Sequence, residues 1–199
     1  LDHTGTAGND TIQVINGTAE GLAGNDTYTF TGSNLPSSKV TIKELKNEGS
    51  DTLDLSSISQ DLTIHIKKDN KVEVKVGNTL KISATYIENI IAGSGSDTFI
   101  VEKGAELKGY IDGGLGTNSL SYTDPNSGLI FDKSFTGSVL VDFGNDADEN
   151  GKATAIDGFA LNGIRNIDEV VGGKKNDFLK GGTGADDLSG GKGDDALTG

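Results

Sequence analysis

The chain has 199 residues, a formal net charge of −13 and 30 glycines, but no Cys or Met. Without Cys it has no disulfide framework, thiolate metal site or cysteine nucleophile, and so acidic a surface repels the phosphates of nucleic acid. No apolar run approaches the roughly 20 residues of a membrane span, and no basic stretch followed by an apolar core marks a signal peptide.

A nine-residue pattern recurs from the N-terminus onward. GTAGNDTIQ starts at Gly5, GLAGNDTYT at Gly21 and KNEGSDTLD at Lys46. From Asp61 the pattern gives way to DLTIHIKKDNKVEVKVGNTLKIS. Here Ile64 and Ile66 flank His65, and Val72, Val74 and Val76 alternate with Glu73 and Lys75. That period of two predicts half-buried strands, with turns at Asp69-Asn70 and Gly77-Asn78. His65 falls on the polar side and reads as solvated, as does the Lys-rich face from Lys67 to Lys75. A strand over 86–92 (YIENIIA) brings the chain back to the stack. The pattern resumes with AGSGSDTFI from Ala92 and GGLGTNSLS from Gly113, where Asn118 replaces Asp.

The segment Asp146 to Asp157 (DADENGKATAID) fits a twelve-residue acidic calcium loop, with Asp146, Asp148, Asn150, the Lys152 carbonyl and Asp157 as ligands. Its flanks do not look helical, and a hairpin tipped by Asn150-Gly151 accounts for the same residues. From Gly163 four nines run in unbroken phase: GIRNIDEVV, GGKKNDFLK from Gly172, GGTGADDLS from Gly181 and GGKGDDALT from Gly190. Gly199 opens a further copy. A chain without Met that begins at Leu1 reads as a processed or excised piece.

Position eight is Ile12, Tyr28, Leu53, Phe99, Leu120, Val170, Leu179, Leu188 and Leu197. All nine are apolar where a 33% apolar composition predicts about three, so this position points into a core. Thr recurs at position seven (Thr11, Thr27, Thr52, Thr98), as a β-former on an outer face. The first six positions supply a tight turn and the last three a short strand. Two nines make one coil, so turns on one side recur about every 18 residues. Starts at 5, 21, 46, 92, 113, 172 and 190 then predict one column carrying Asp10, Asp26, Asp51, Asp97, Asn118, Asp177 and Asp195. Asp168 and Asp186 belong to the opposite column.

The C-terminal nines, G-G-x-G-x-D-x-U-x at every fixed position from Gly181 and again from Gly190, resemble RTX, or hemolysin-type, calcium-binding repeats. Looser copies and inserted segments extend the resemblance over most of the chain. It implies an all-β, elongated parallel β-roll or β-helix with calcium-binding turns and inserted β-hairpins, in one domain over 1–199. Residues 5–60 form N-terminal coils, 61–112 and 113–171 two looped-out modules, and 172–199 the intact repeats. Several Ca²⁺ ions are implied, held by Asp10, Asp26, Asp51, Asp97, Asp168, Asp177, Asp186 and Asp195. Turn carbonyls of Gly8, Gly24, Gly95, Gly173, Gly182, Gly184, Gly191 and Gly193 complete the shells. Hard oxygen donors in such numbers suit calcium.

The implied function is a structural module of a larger secreted or cell-surface protein of a Gram-negative bacterium. It would leave the cell unfolded by type I secretion and order from about Gly163 onward on calcium outside. The alternatives are an interaction or lattice-forming segment of an adhesin or surface-layer protein, with self-association or a surface ligand, and the C-terminal scaffold of a secreted hydrolase or toxin. The chain itself offers no H-E-x-x-H, no nucleophile elbow and only His3 and His65 as imidazoles, so a non-enzymatic role is expected.

Overall fold

Each Gly- and Asp-rich turn releases the chain into a three-residue strand whose middle side chain faces inward, because successive side chains alternate faces. The computed structural model describes residues 2–123, 139–143, 152–153, 163–182 and 184–199. Strands β1 (His3–Thr4), β2 (Thr11–Gln13), β3 (Thr18–Glu20), β4 (Thr27–Thr29), β5 (Val40–Lys43) and β6 (Thr52–Asp54) form the first coils. Longer strands β7 (Leu62–Lys67), β8 (Lys71–Val76) and β9 (Thr79–Thr85) follow. Next come β10 (Asn89–Ile91), β11 (Thr98–Val101), β12 (Ile111–Asp112) and β13 (Ser119–Ser121). The C-terminal part holds β14 (Leu140–Asp142), β15 (Lys152–Ala153), β16 (Ile164–Arg165), β17 (Glu169–Val171), β18 (Phe178–Lys180), β19 (Asp187–Ser189) and β20 (Ala196–Thr198). Among the described residues no helix is long and apolar enough to cross a membrane.

Three sheets result, with orders β1-β3-β5-β9-β8-β7-β11-β13-β17-β19, β16-β12-β10-β6-β4-β2 and β15-β14-β18-β20. Neighbouring coils pair in parallel, for example Thr11↔Thr27 and Thr27↔Thr52. Up to β13 the chain passes alternately between the ten-stranded and six-stranded sheets, and from β17 to β20 between the ten-stranded and four-stranded ones, which is the path of a parallel β-roll. Position eight fills the interior as expected. Tyr28, Leu53, Phe99, Leu120, Val170 and Leu179 are fully buried, while Leu188 is partly buried and Leu197 is 49% exposed in the last strand of its sheet. Burying one such side chain stabilises by about 1.5–3 kcal/mol. Three of the four position-seven threonines, Thr11, Thr27 and Thr52, stand in one row.

The first insertion is not looped out. β7, β8 and β9 form an antiparallel meander built into the ten-stranded sheet, with β9 parallel to β5 and β7 parallel to β11. Both predicted turns are present, with left-handed Asp69 (φ 62°), Asn70 (φ 51°) and Gly77 (φ 55°). The reason is twofold. Ile64, Ile66, Val72, Val74, Ile82 and Ala84 need a core, and the meander occupies the strand edges that β5 and β11 would otherwise leave open.

That placement overturns the single turn column. β6 and β10 both lie in the six-stranded sheet, and the meander is the limb between them. YIENIIA therefore takes the place beside Asp51 that Asp97 was expected to fill. The turns carrying Asp97 and Asn118 lead into the ten-stranded sheet, in one column with Asp168 and Asp186. Those carrying Asp10, Asp26, Asp51, Asp177 and Asp195 lead out of it.

His65 and the lysines beside it are not freely solvated. His65 Nδ1 lies 2.9 Å from Glu102 Oε1, Lys67 Nζ donates to Glu73 Oε2 at 2.6 Å, and Lys71 Nζ lies 2.7 Å from Glu73 Oε1. Glu102 directly follows β11, the neighbour that tertiary pairing sets beside β7. In the second insertion β14 and β15 pair antiparallel, Val141↔Ala153 and Asp142↔Lys152. The expected hairpin tip at Asn150-Gly151 lies outside the described residues. Asp146, Asp148, Asn150 and Asp157 lie outside the described residues, and Lys152 opens β15.

Candidate metal centre

The position-six carboxylates do two jobs in the turns. One oxygen closes the turn itself: Thr6 N–H donates to Asp10 Oδ2 at 2.6 Å, Gly173 N–H to Asp177 Oδ2 at 2.7 Å and Gly182 N–H to Asp186 Oδ2 at 2.8 Å. The other reaches the preceding coil. Asp10 N–H donates to Asp26 Oδ1, Asp26 N–H to Asp51 Oδ1 and Asp177 N–H to Asp195 Oδ1, each at 2.8 Å. In the other column Leu62 N–H donates to Asp97 Oδ1 at 2.8 Å, Asp97 N–H to Asn118 Oδ1 at 3.0 Å and Asn118 N–H to Asp168 Oδ2 at 2.7 Å. Side-chain oxygens are thus stacked from coil to coil, all of them carboxylate except that of the Asn118 amide, with lone pairs to spare.

The glycine at position four matters where coils touch. Gly24 (φ 124°) and Gly193 (φ 132°) adopt backbone that other residues avoid, and a Cβ on them would meet Gly8 O at 2.6 Å and Lys175 O at 2.5 Å. Lys175 can replace glycine in its own repeat because the close approach is made by Gly193 of the following coil. Gly95 is similarly pressed against Gln60 O, whereas a Cβ on Gly184 would meet open space.

Four of the expected pairs are adjacent. Asp10 stands beside Asp26, and Asp26 beside Asp51. Asp177 and Asp195 line one open cleft with Gly193. Asp168 and Asp186 line another with Gly184. Asp51 and Asp97 are not a pair: Asp51 N–H instead donates to Glu88 Oε2 at 2.8 Å. Asp97 pairs with Asn118.

One turn departs from the pattern. At the turn from Gly21, Leu22 has φ 79°, and Asp26 Oδ2 has no hydrogen-bond partner. Gly21 N–H donates at 2.8 Å to Glu44 Oε1, which also accepts the Tyr28 hydroxyl. Asp26, Glu44 and Asp51 are all buried, and each offers an oxygen within 4.8 Å of the others'. Glu44 was missed in the sequence. Its signal was there: in VTIKE, Val40 and Ile42 face inward, so Glu44 is a charge at an inward position of an alternating strand.

Burial dominates the electrostatics. It pushes Asp51 up to about 6, with backbone donation from Asp26 opposing and Glu88 adding repulsion. Burial also raises Glu44, Glu88, Asp97 and the Tyr28 phenol. Glu73 goes the other way: burial raises it, but hydrogen bonds from Lys67 and Lys71 outweigh that and bring it to about 2. The sign follows for metal-free protein. Asp51 contributes stability that is full below its ordinary 3.8 and lost as pH rises through about 6. Glu73 contributes stability present above 4.5 and lost as pH falls through about 2. Thermal melts of metal-stripped protein should therefore show the N-terminal stack gaining stability between about pH 7 and pH 4. After screening, one such group is worth on the order of 1 kcal/mol, or about 2–4 °C. A melting temperature that falls steadily over that interval would contradict it.

A parallel β-roll whose turns are lined with stacked carboxylates defines a class of metal-binding solenoid. Comparison with family models identifies residues 163–197 as RTX calcium-binding nonapeptide repeats, in four copies. These are the four nines whose Asp168, Asp177, Asp186 and Asp195 stack here. No curated protein matches the chain. The donors fit calcium: Asp26 Oδ2 and Glu44 Oε2 are buried acceptors without donors, and every candidate ligand is a hard oxygen.

Proposed function

We propose that this chain is a calcium-binding structural module of a larger secreted or cell-surface protein, non-enzymatic in itself, whose nonapeptide region orders when it meets calcium outside the cell. The observation that carries this reading is the stacking of Asp177 on Asp195 and of Asp168 on Asp186, one pair in each turn column. Calcium between such pairs ties successive coils together and cancels part of the −13 charge. RTX repeats are typical of secreted proteins, and sites of extracellular modules bind with dissociation constants of ~10⁻⁴–10⁻³ M, too weak to fill in a low-calcium cytosol.

The test is a calcium titration of metal-stripped protein followed by far-ultraviolet circular dichroism, with magnesium as control. A calcium-selective gain of β signal is expected. Asp195→Asn keeps the Oδ1 that accepts the Asp177 N–H but halves the charge of the pair. Its midpoint should move to about tenfold higher calcium, a loss of roughly 1.4 kcal/mol. A spectrum already complete without calcium, or a midpoint unmoved by the substitution, would sink the reading.

A further inference from the structure

We propose that Asp26, Glu44 and Asp51 form a buried calcium site in the N-terminal stack, closed by a glutamate that comes from outside the repeat. The inference rests on the reading above only for the choice of ion, since its residues lie outside 163–197.

Three observations point to a ligand. First, Asp26 and Glu44 are 0% and 2% exposed, yet Asp26 Oδ2 and Glu44 Oε2 have no hydrogen-bond partner. A buried carboxylate oxygen without a donor is costly. Second, the opposite oxygens are firmly held. Asp26 Oδ1 accepts from Asp10 N–H, Asp51 Oδ1 from Asp26 N–H, and Glu44 Oε1 from Gly21 N–H and the Tyr28 hydroxyl. Each of the three carboxylates is therefore held in place through one of its oxygens. Third, among the described residues no lysine, arginine or histidine pairs with any of the three. Three clustered acids need either protons or a cation, and unpaired buried charges cost several kcal/mol each.

The spacing suits calcium. Ligand oxygens sit 2.3–2.6 Å from a calcium ion, so those on opposite sides are about 4.6–5.2 Å apart. One oxygen from each of Asp26, Glu44 and Asp51 lies within 4.8 Å of the other two. The site differs from the C-terminal turns in its buried position and in Glu44, which follows β5 and no nonapeptide supplies. It would hold the coils of β4, β5 and β6 together independently of the repeats. Tyr28, hydrogen-bonded to a ligand, is a positioning residue and also a natural reporter.

The experiment uses the full chain, stripped of metal and titrated with terbium, a luminescent substitute for calcium that tyrosine sensitises. Calcium stoichiometry is measured in parallel by equilibrium dialysis. Tyr122 lies near Asp177, so Asp195→Asn serves as the control. Tyr28→Phe is expected to remove one component of the terbium emission. Glu44→Gln is expected to lower the stoichiometry by one ion, and Asp195→Asn to keep the Tyr28-dependent emission. Emission indifferent to Tyr28→Phe would overturn the site, and so would full stoichiometry in Glu44→Gln with greater thermal stability in chelator. The latter would mean the acids share protons. If Glu44→Gln does not fold, the Tyr28→Phe comparison alone decides. If instead Asp195→Asn leaves the dichroism midpoint unmoved while Glu44→Gln loses an ion, the C-terminal reading fails and this site stands.

Discussion

Adding a chelator is expected to strip hydrogen-exchange protection from β17 to β20 while β7, β8 and β9 keep theirs. The two ends of the molecule are built differently. The meander contributes strands of six and seven residues with nearly every inward side chain fully buried. From 163 to 199 the strands have two or three residues. Among the described residues of this stretch the buried apolar side chains are Ile164, Ile167, Val170 and Leu179. Ordering a residue costs about 1–2 kcal/mol of backbone entropy, and glycine loses the most. Four apolar side chains at about 1.5–3 kcal/mol each do not offset that over a Gly-rich segment. Stacked carboxylates add mutual repulsion. Bound calcium supplies the difference by mass action, RT ln(1 + [L]/Kd) per site. Mass-spectrometric exchange with and without chelator reads this directly. Protection lost evenly across the chain would mean one cooperative unit, and protection retained at β17–β20 would mean that calcium is not what orders them.

Phe99→Ala is expected to destabilise the calcium-loaded protein by about 3–5 kcal/mol, near the limit a single core truncation reaches. Phe99 is fully buried and stacks between Ile64 of β7 and Leu120 of β13. It therefore joins the meander to the coils that follow, and the cavity it leaves cannot collapse without moving both. Leu197 holds the same position of the repeat but is 49% exposed. Leu197→Ala should cost less than about 1 kcal/mol, because little apolar area returns to water. Urea denaturation of both variants in saturating calcium gives the comparison. Equal losses would show that position eight is not the stacking core inferred from Phe99.

Much of this molecule was legible residue by residue. The inward position eight, the turns at Asp69-Asn70 and Gly77-Asn78, and the pairing of Asp177 with Asp195 and Asp168 with Asp186 all follow from spacing. They are legible because they are local: a turn and the strand behind it lie within nine residues, and intact repeats keep their phase. The assignments that failed share one cause. Asp51 and Asp97 were placed together by counting across 46 residues, on the assumption that the insertion bulged outward. Asn118 was carried along by the same count. His65 was read as solvated because alternation reveals which face a side chain takes, not what stands opposite. Glu44 escaped notice because it belongs to no nonapeptide.

By itself, then, the sequence determined the repeating unit: acidic glycine turns, three-residue strands, one inward apolar side chain per strand, and hard oxygen donors suited to calcium. These are set by backbone sterics and side-chain chemistry over a few residues. Only the tertiary structure decided which turn stacks on which, that the β7–β9 meander joins the main sheet, and that Glu44 meets Asp26 and Asp51. Those choices are made by parallel strand pairing between residues 16 to 53 positions apart. An alternating strand satisfies its own pattern against any open edge, and it is the edges offered by β5 and β11 that select the one observed.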